Sequence, residues 1–305
     1  MNAPRITIGL PFGDNAKTLG LAIASVFAQT ESSWELLLVD DGSVDGSGAL
    51  AAAVDDPRVR TFRFDQRAGL SARLNFIAEV AQAPLLARMD ADDVMHPDRL
   101  LRQREALEAD PDLDLVGSDM VTLDVHGAPS GRRRSRDLPT DLPGVLRRGF
   151  LNHPTVMGRR DWFRSHPYAE TYPRAEDFEL WCRVIGTVRA LEIPEPLLFY
   201  REPIPVDLPG YRDTFRSRGA ITLAYGPGSV GRSNTWLLVG RTLLQGPIYG
   251  LARLGGLERW LVHRRNRRLE PAEAADALSI LNRIRQVPIP GIVDSVPLTG
   301  RVRRG

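Results

Sequence analysis

Three carboxylates crowd into four residues at Asp90, Asp92 and Asp93, inside the stretch Leu85–Asp98, LLARMDADDVMHPD. The residues leading to them, Pro84–Met89, are short and apolar enough for a buried strand. Acids gathered at the end of a buried strand lose hydration and repel one another unless a cation sits among them. Hard oxygen ligands favour Mg²⁺ or Mn²⁺, and Mg²⁺ commonly takes one or two carboxylates plus substrate phosphates. On its own the triplet also reads as a solvated acidic turn, with Asp93 or Asp98 capping the next helix. A second pair, Glu176–Asp177, opens an apolar stretch with Phe178, Trp181, Cys182 and Ile185 on one side. An acid there can act as a general base, or simply complement the helix dipole.

The elements that must position these groups alternate. Arg5–Phe12 is expected as a strand, Leu19–Gln29 as an amphipathic helix and Trp34–Val39 as a second apolar strand ending in Asp40 and Asp41. Ser43–Val54 reads as a helix, Val59–Phe64 as a strand, Leu70–Val80 as a helix and Pro84–Met89 as the fourth strand. Strands that are continuously apolar and separated by helices imply a mainly parallel sheet covered on both faces. Ligands of such sheets gather at the carboxyl ends of the strands, where Pro11, Asp41 and Asp92 all fall. Further on, Pro97–Glu108 reads as a helix, Leu113–Val125 as a strand, Pro139–Phe150 as a short helix and Thr155–Met157 as a short strand. Glu176–Ile185 follows as a helix, then Val188–Leu191 and Leu197–Tyr200 as small strands. Arg132, Arg133, Arg134 and Arg136 form a basic, loop-like run, read as solvated or as a phosphate or acceptor contact.

Composition narrows the class. The 305 residues are 43% hydrophobic and 26% charged, ordinary for a soluble globular chain. A single cysteine, Cys182, excludes an internal disulfide and any cysteine-based zinc site. Met1–Arg5 is polar and runs straight into a strand, so no leader is expected. No run of about 18 apolar residues is present, so no transmembrane helix is expected and the default compartment is the cytoplasm. No GxGxxG follows the first strand and no GxxxxGK[ST] occurs, which disfavours a dehydrogenase or a P-loop NTPase. A nucleotide on this sheet is therefore expected to meet carboxylates and a metal. An Asp at a strand end can accept from a base N–H or a ribose hydroxyl. Arg67 and Arg73 can meet phosphate or base as fixed cations, or form surface salt bridges.

Several segments together resemble one family in its own order. LPFGDNAKTL is similar to an opening P-x-Y-N turn, SVFAQT to the close of the first helix and ELLLVDDGSVDGS to a base-binding strand end. GLSARLN, RMDADDVMHPDRL, HPTVMGRR and AEDFELWCRV continue the series. Over residues 5–201 the chain resembles a bacterial family 2 glycosyltransferase, an inverting enzyme of the GT-A fold that uses nucleotide-diphosphate sugars. The resemblance implies a mixed, mainly parallel sheet with helices on both faces. It implies that Asp41 meets uracil or an equivalent base, and that Asp92 holds Mg²⁺ or Mn²⁺ with Asp90 beside it. Asp90 and Asp93 would support the metal or touch the sugar; Pro11, Asp14 and Arg73 complete the expected donor side. Asp177 would be the catalytic base next to Glu176, and His153 would line the acceptor side or serve structurally. Gly13 and Asp14 depart from the family's Tyr and Asn, removing an aromatic side chain near the base.

The expected activity is transfer of a sugar, hexosyl or N-acetylhexosaminyl, from a UDP-type donor to a hydroxyl of a glycan or lipid-linked saccharide. The alternatives are a catalytically silent nucleotide-sugar binding module and a sugar-phosphate nucleotidyltransferase. The latter needs a glycine- and lysine-rich first loop that GLPFGDNAKT lacks. The expected division is a catalytic domain over 1–205, split at 95/96 into a nucleotide-binding half and an acceptor-side half. A basic helical appendage would follow over 206–285 and a flexible tail over 286–305. Residues 1–210 carry 24 basic and 32 acidic side chains, and residues 211–305 carry 16 and 6, so the charge reverses from −8 to +10. Arginine-flanked aromatics and leucines between Trp236 and Arg268 suit an anionic membrane surface at the inner face of the cell membrane. They equally suit packing on the catalytic domain or a dimer contact. Nothing resembles a nucleic-acid reading motif.

Overall fold

The computed structural model describes residues 3–134, 137–202, 208–254 and 266–292. The first half alternates strand and helix: β1 (Ile6–Phe12), α1 (Leu19–Phe27), β2 (Trp34–Asp41), α2 (Ser47–Ala52), β3 (Val59–Phe64), α3 (Leu70–Val80) and β4 (Leu85–Arg88). β1 pairs in parallel with β2 and β4, and β2 with β3. The second half adds β5 (Val94–Met95), α4 (Arg99–Ala109), β6 (Leu115–Leu123), β7 (Pro129–Arg133), α5 (Leu142–Arg148), β8 (Met157–Arg159), α6 (Arg160–Ser165), α7 (Glu176–Val184) and β9 (Ala190–Arg201). One curled sheet results, in the order β3-β2-β1-β4-β8-β6-β9-β5, with β7 on β6. The long pairings are parallel, including β6 with β9; the antiparallel ones, through β5, β7 and β8, are short.

Period-two alternation sends neighbouring residues of one strand into opposite cores. Leu36 and Leu38 join Ile6, Ile8 and α1 on one face, while Leu37 and Val39 join Leu74 and Ile77 of α3 on the other. Each such side chain, fully buried, contributes about 1.5–3 kcal/mol. Gly9 lets α3 sit against β1, since a Cβ there would lie 2.4 Å from Ile77 Cγ2.

The second half differs from its sequence reading in instructive ways. The two small strands expected at 188–191 and 197–200 are one strand, β9, with register shifts opposite Ser118–Met120. Pro194 and Pro196 lie in that irregular stretch, where the ladder has no use for their missing N–H groups. The short strand expected at Thr155–Met157 begins two residues later, because Asn152 turns His153–Thr155 into a 3₁₀ turn closed by Thr155 Oγ1 on the Asn152 carbonyl at 2.7 Å. Within the basic run, Arg132 and Arg133 form the end of β7 instead of a solvated loop. Arg132 meets buried Asp119 at 2.6 Å and Arg133 meets buried Glu202 at 2.5 Å. Arg136 lies outside the described residues.

Two long helices, α8 (Leu208–Ser229) and α9 (Arg232–Leu254), pack on each other, and α8 lies against α5 and α7. A final helix, α10 (Pro271–Ile284), opens with a Glu270/Glu273 capping box and returns to the main core. Its Ala277, Ile280, Leu281 and Ile284 are buried with α1 and β1, so this stretch of the expected appendage completes the core on that face of the sheet. Residues 286–292 continue that packing and are not a loose tail: Ile289 is buried and the Pro290 carbonyl accepts from the Asp55 amide at 2.9 Å. The rest of the expected tail, 293–305, lies outside the described residues. Among the described residues, no helix is long and apolar enough to cross a membrane.

Candidate functional site

The carboxyl ends of β1, β2 and β4 open on one crevice. Pro11, buried, pairs with Val39 near the end of β1. The two acids ending β2 divide their work. Asp40 is fully buried and accepts from the Ser43 amide at 2.8 Å and its hydroxyl at 2.9 Å, building the turn that follows. Asp41 faces the crevice, accepting from the Ala68 amide at 2.9 Å, the Gly69 amide at 3.0 Å and Arg73 Nε at 2.6 Å. Gly69, at φ +88°, adopts the conformation that brings its amide there. Burial pushes the Asp41 carboxyl up, but those two amides and the guanidinium outweigh it and hold the group below its ordinary value. Asp41 is thus a fixed anion at neutral pH.

Arg73 forms no surface salt bridge. It is 6% exposed, gives Nη2 to the Gln66 carbonyl at 2.8 Å and stacks over the Phe64 ring at 3.6 Å. Arg67 does lie at the surface, paired with Asp14, which also accepts from the Val44 amide at 2.9 Å. Asp14 therefore ties together the loops after β1, β2 and β3.

The acid triplet follows β4. One oxygen from each of Asp90, Asp92 and Asp93 lies within 4.8 Å of the others. Asp93 is fully buried: Oδ1 accepts from the Arg201 amide at 2.9 Å, while Oδ2 has no partner among the described residues. Burial first, and then the charges of Asp92 and Asp90, push its carboxyl well above the ordinary value. The same two causes, burial and Asp90, bring Asp92 to about 6. A buried carboxylate oxygen without a donor, beside two more acids, matches what a hard divalent cation requires.

Arg88 links this triplet to the second acidic pair. It is buried at the end of β4, gives Nη2 to Asp90 at 2.7 Å and lies within electrostatic reach of Glu176 and Tyr168. Glu176 and Asp177 start α7 behind Ala175, a non-glycine residue held at φ 64°. A left-handed alanine costs about 1–2 kcal/mol, a strain placed immediately before the two acids. The pair then splits. Glu176 is buried, with Oε1 3.5 Å from His153 Nδ1, and His153 Nε2 hydrogen-bonds the Tyr168 hydroxyl at 2.9 Å. Asp177 is half-buried; its Oδ1 accepts from the Phe178 amide at 2.7 Å, and Oδ2 accepts no hydrogen bond among the described residues.

Burial works to raise Glu176, but the His153 ring outweighs it and holds the carboxyl down at about 2, against an ordinary 4.5. A depressed acid stabilises the fold fully above its unfolded value and loses that contribution as pH falls through its folded one. Wild-type stability should therefore fall between pH 4.5 and 2 by an amount on the order of 1–3 kcal/mol from this group. Urea unfolding across that window should show Glu176→Gln without this acid limb; an identical limb in the variant refutes the pairing.

The expected residues Asp90, Asp92, Asp93, His153, Glu176 and Asp177 thus form two clusters joined by Arg88, and Pro11, Asp14, Asp41 and Arg73 border the crevice. Arg88, Tyr168, Ala175 and Arg201 were missed. Arg88 left a signal, a charged residue inside an apolar strand; Tyr168 left none, since only the fold brings it to His153.

Residues 7–168 match the family model described as glycosyl transferase family 2. EpsE of Bacillus subtilis (strain 168) is 30% identical over 210 residues, covering 66% of this chain and 74% of its own length. Among solved structures, S. aureus TarS 1–349 in complex with UDP is similar over 96% of this chain and 82% of its own, with a TM-score of 0.56 and 13% identity. The mannosyltransferase PcManGT from Pyrobaculum calidifontis, in complex with GDP-Man and Mn²⁺, is similar over 93% and 86%, with a TM-score of 0.58 and 16% identity.

Proposed function

The chain belongs to glycosyl transferase family 2 and has the GT-A fold, and from that premise we propose that it carries out inverting transfer of a sugar. The donor is a nucleotide-diphosphate sugar, UDP-linked, and the acceptor a hydroxyl of a glycan or lipid-linked saccharide. Residues 1–95 provide the donor half and residues 96–205 the acceptor-side half. The observation that carries this reading is the division of labour inside Glu176–Asp177: one acid is paired with His153, while the other keeps an oxygen that accepts no hydrogen bond among the described residues.

Asp177 takes the acceptor's hydroxyl proton as that oxygen attacks the anomeric carbon. The bond from that carbon to the diphosphate breaks, its electron pair leaves with the nucleotide, and the configuration inverts. Glu176, kept anionic by His153, orients the start of α7 and opposes proton loss to the wrong acid. Asp41 and Arg73 hold the wall that meets the base and ribose. The donor set of Asp92 and Asp90, with Asp93 behind, fits Mg²⁺ or Mn²⁺, which when bound supplies positive charge against the diphosphate. The cation bound in PcManGT and the UDP bound in TarS support the choice of ligands.

The purified chain, incubated with Mn²⁺ and a panel of UDP- and GDP-sugars, should release nucleoside diphosphate from one donor well above the others. Release from none, with nucleotide binding intact, would leave a silent binding module in place of an enzyme.

A further inference from the structure

Arg88 reaches both acidic clusters, and part of its side chain is left unused. Along β4, Leu85 and Ala87 face the core that holds α1, and Leu86 faces the core that holds α3 and α7. Alternation sends Arg88 to the Leu86 side, where it lines a small cavity with Leu86, Phe163 and Tyr168. The backbone of Arg88 is fixed from two sides. Its amide donates to the Val156 carbonyl at 2.9 Å, and its carbonyl accepts from Arg99 Nη2 at 2.8 Å. The guanidinium is held less completely. Nη2 donates to Asp90 at 2.7 Å, whereas Nε and Nη1, both buried, have no partner among the described residues.

A buried guanidinium carries a desolvation cost that only negative charge offsets. Burial works against the Arg88 charge, but the groups around it, Asp90 before Tyr168, Glu176 and Asp93, outweigh burial and hold its proton more firmly than usual. The influence is mutual. Burial raises the Glu176 carboxyl, and the His153 ring, with the Arg88 charge behind it, outweighs that. A mere tie between a strand and a loop needs no charge, since well-packed apolar residues of similar volume usually serve as well. A counter-ion between two acidic clusters does need one.

We propose that Arg88 is a positioning residue for the transfer reaction, a counter-ion shared by Asp90 and Glu176 that couples the aspartate triplet to the Glu176–Asp177 pair. When Asp90 gives its charge to a cation, Arg88 is left to Glu176 alone, with Nε and Nη1 still to be satisfied. Glu176 is then held anionic at the start of α7, and the acceptor's proton goes to Asp177. This coupling rests on the sugar-transfer reading above and adds to it the residue through which its two clusters communicate.

Arg88→Met tests the coupling by effects of opposite sign. Loss of a positive charge beside a ligand should tighten Mn²⁺, titrated calorimetrically with UDP at about pH 7.5, by about tenfold. The same variant should lower kcat about tenfold or more without raising the donor's KM. Arg88→Met/Glu176→Gln should transfer no more slowly than the slower of its two single variants, because both break one link. Arg88→Lys keeps the charge but presents no planar fork to two partners, so it should bind Mn²⁺ as wild type does and recover part of the rate. Mn²⁺ affinity unchanged or weakened in Arg88→Met marks a structural tie and overturns the proposal. Rate losses that multiply in the double variant overturn it too, since Arg88 then acts independently of Glu176. Should Arg88→Met fail to fold, Arg88→Lys decides: a lowered kcat at wild-type Mn²⁺ affinity supports the coupling, and transfer at the full rate overturns it. A wild-type chain that binds Mn²⁺ and UDP but transfers no sugar strikes the sugar-transfer reading instead.

Discussion

Asp177→Asn should lower the rate of sugar transfer by roughly 10²–10⁴-fold, the usual contribution of a positioned acid or base, while donor affinity stays nearly constant. The reason lies in what the carboxylate touches. Its Oδ1 is occupied by the Phe178 amide at 2.7 Å, and Oδ2 meets no donor of the described chain. The free oxygen is the one that can receive a proton, and an amide in its place cannot. Asparagine keeps Oδ1, so the turn at the start of α7 and the packing of Phe178 and Trp181 behind it persist. A purely structural acid would give the opposite pattern, a stability change of about 1 kcal/mol or less from the helix dipole with transfer largely kept. Rate, donor affinity and melting temperature measured on one preparation separate the two. Transfer at near the wild-type rate would remove Asp177 from the role. Glu176→Gln is the control: Glu176 pairs with His153, so its signature is the lost acid limb of stability and a milder loss of rate.

The stretch from β1 to β4 was legible because its physics is local. Strands β1 to β4 are apolar runs of the right length, and each helix between them shows its own period, so a parallel sheet follows from short-range pattern. Asp41 and Asp92 were found at strand ends for the same reason. The stretch after β5 was less legible because long-range pairing decides it. β9 is one strand only because β6 lies beside it in parallel and tolerates two prolines at a register shift. Arg132 and Arg133 read as solvated until Asp119 and Glu202, 13 and 69 residues away, neutralise them. α10 reads as part of the basic appendage until its Leu281 meets the core around α1.

Asp92→Ala should separate two effects of opposite sign. In the metal-free protein the Asp92 carboxyl is pushed up to about 6, by burial and then by Asp90, so its charged form is disfavoured in the fold. An acid whose folded pKa exceeds its unfolded value binds more protons when folded, so stability falls as pH rises from about 4 to about 6. Removing it should leave the metal-free protein at neutral pH as stable as wild type or more so. With cation present the order reverses. Wild type should gain melting temperature from Mn²⁺ and UDP at about pH 7.5, and gain less at about pH 5, because a protonated carboxyl is a poor ligand. Asp92→Ala should show little gain at either pH, and Mn²⁺-dependent UDP affinity should drop at least about 100-fold, beyond the usual cost of disturbing even an outer partner of a metal ligand. The crevice wall at Asp41 and Arg73 does not depend on Asp92, so weak metal-independent UDP binding should survive. Unchanged Mn²⁺-dependent affinity in the variant would show that the triplet is a turn and not a metal loop, with the buried Asp93 Oδ2 then satisfied by its own proton.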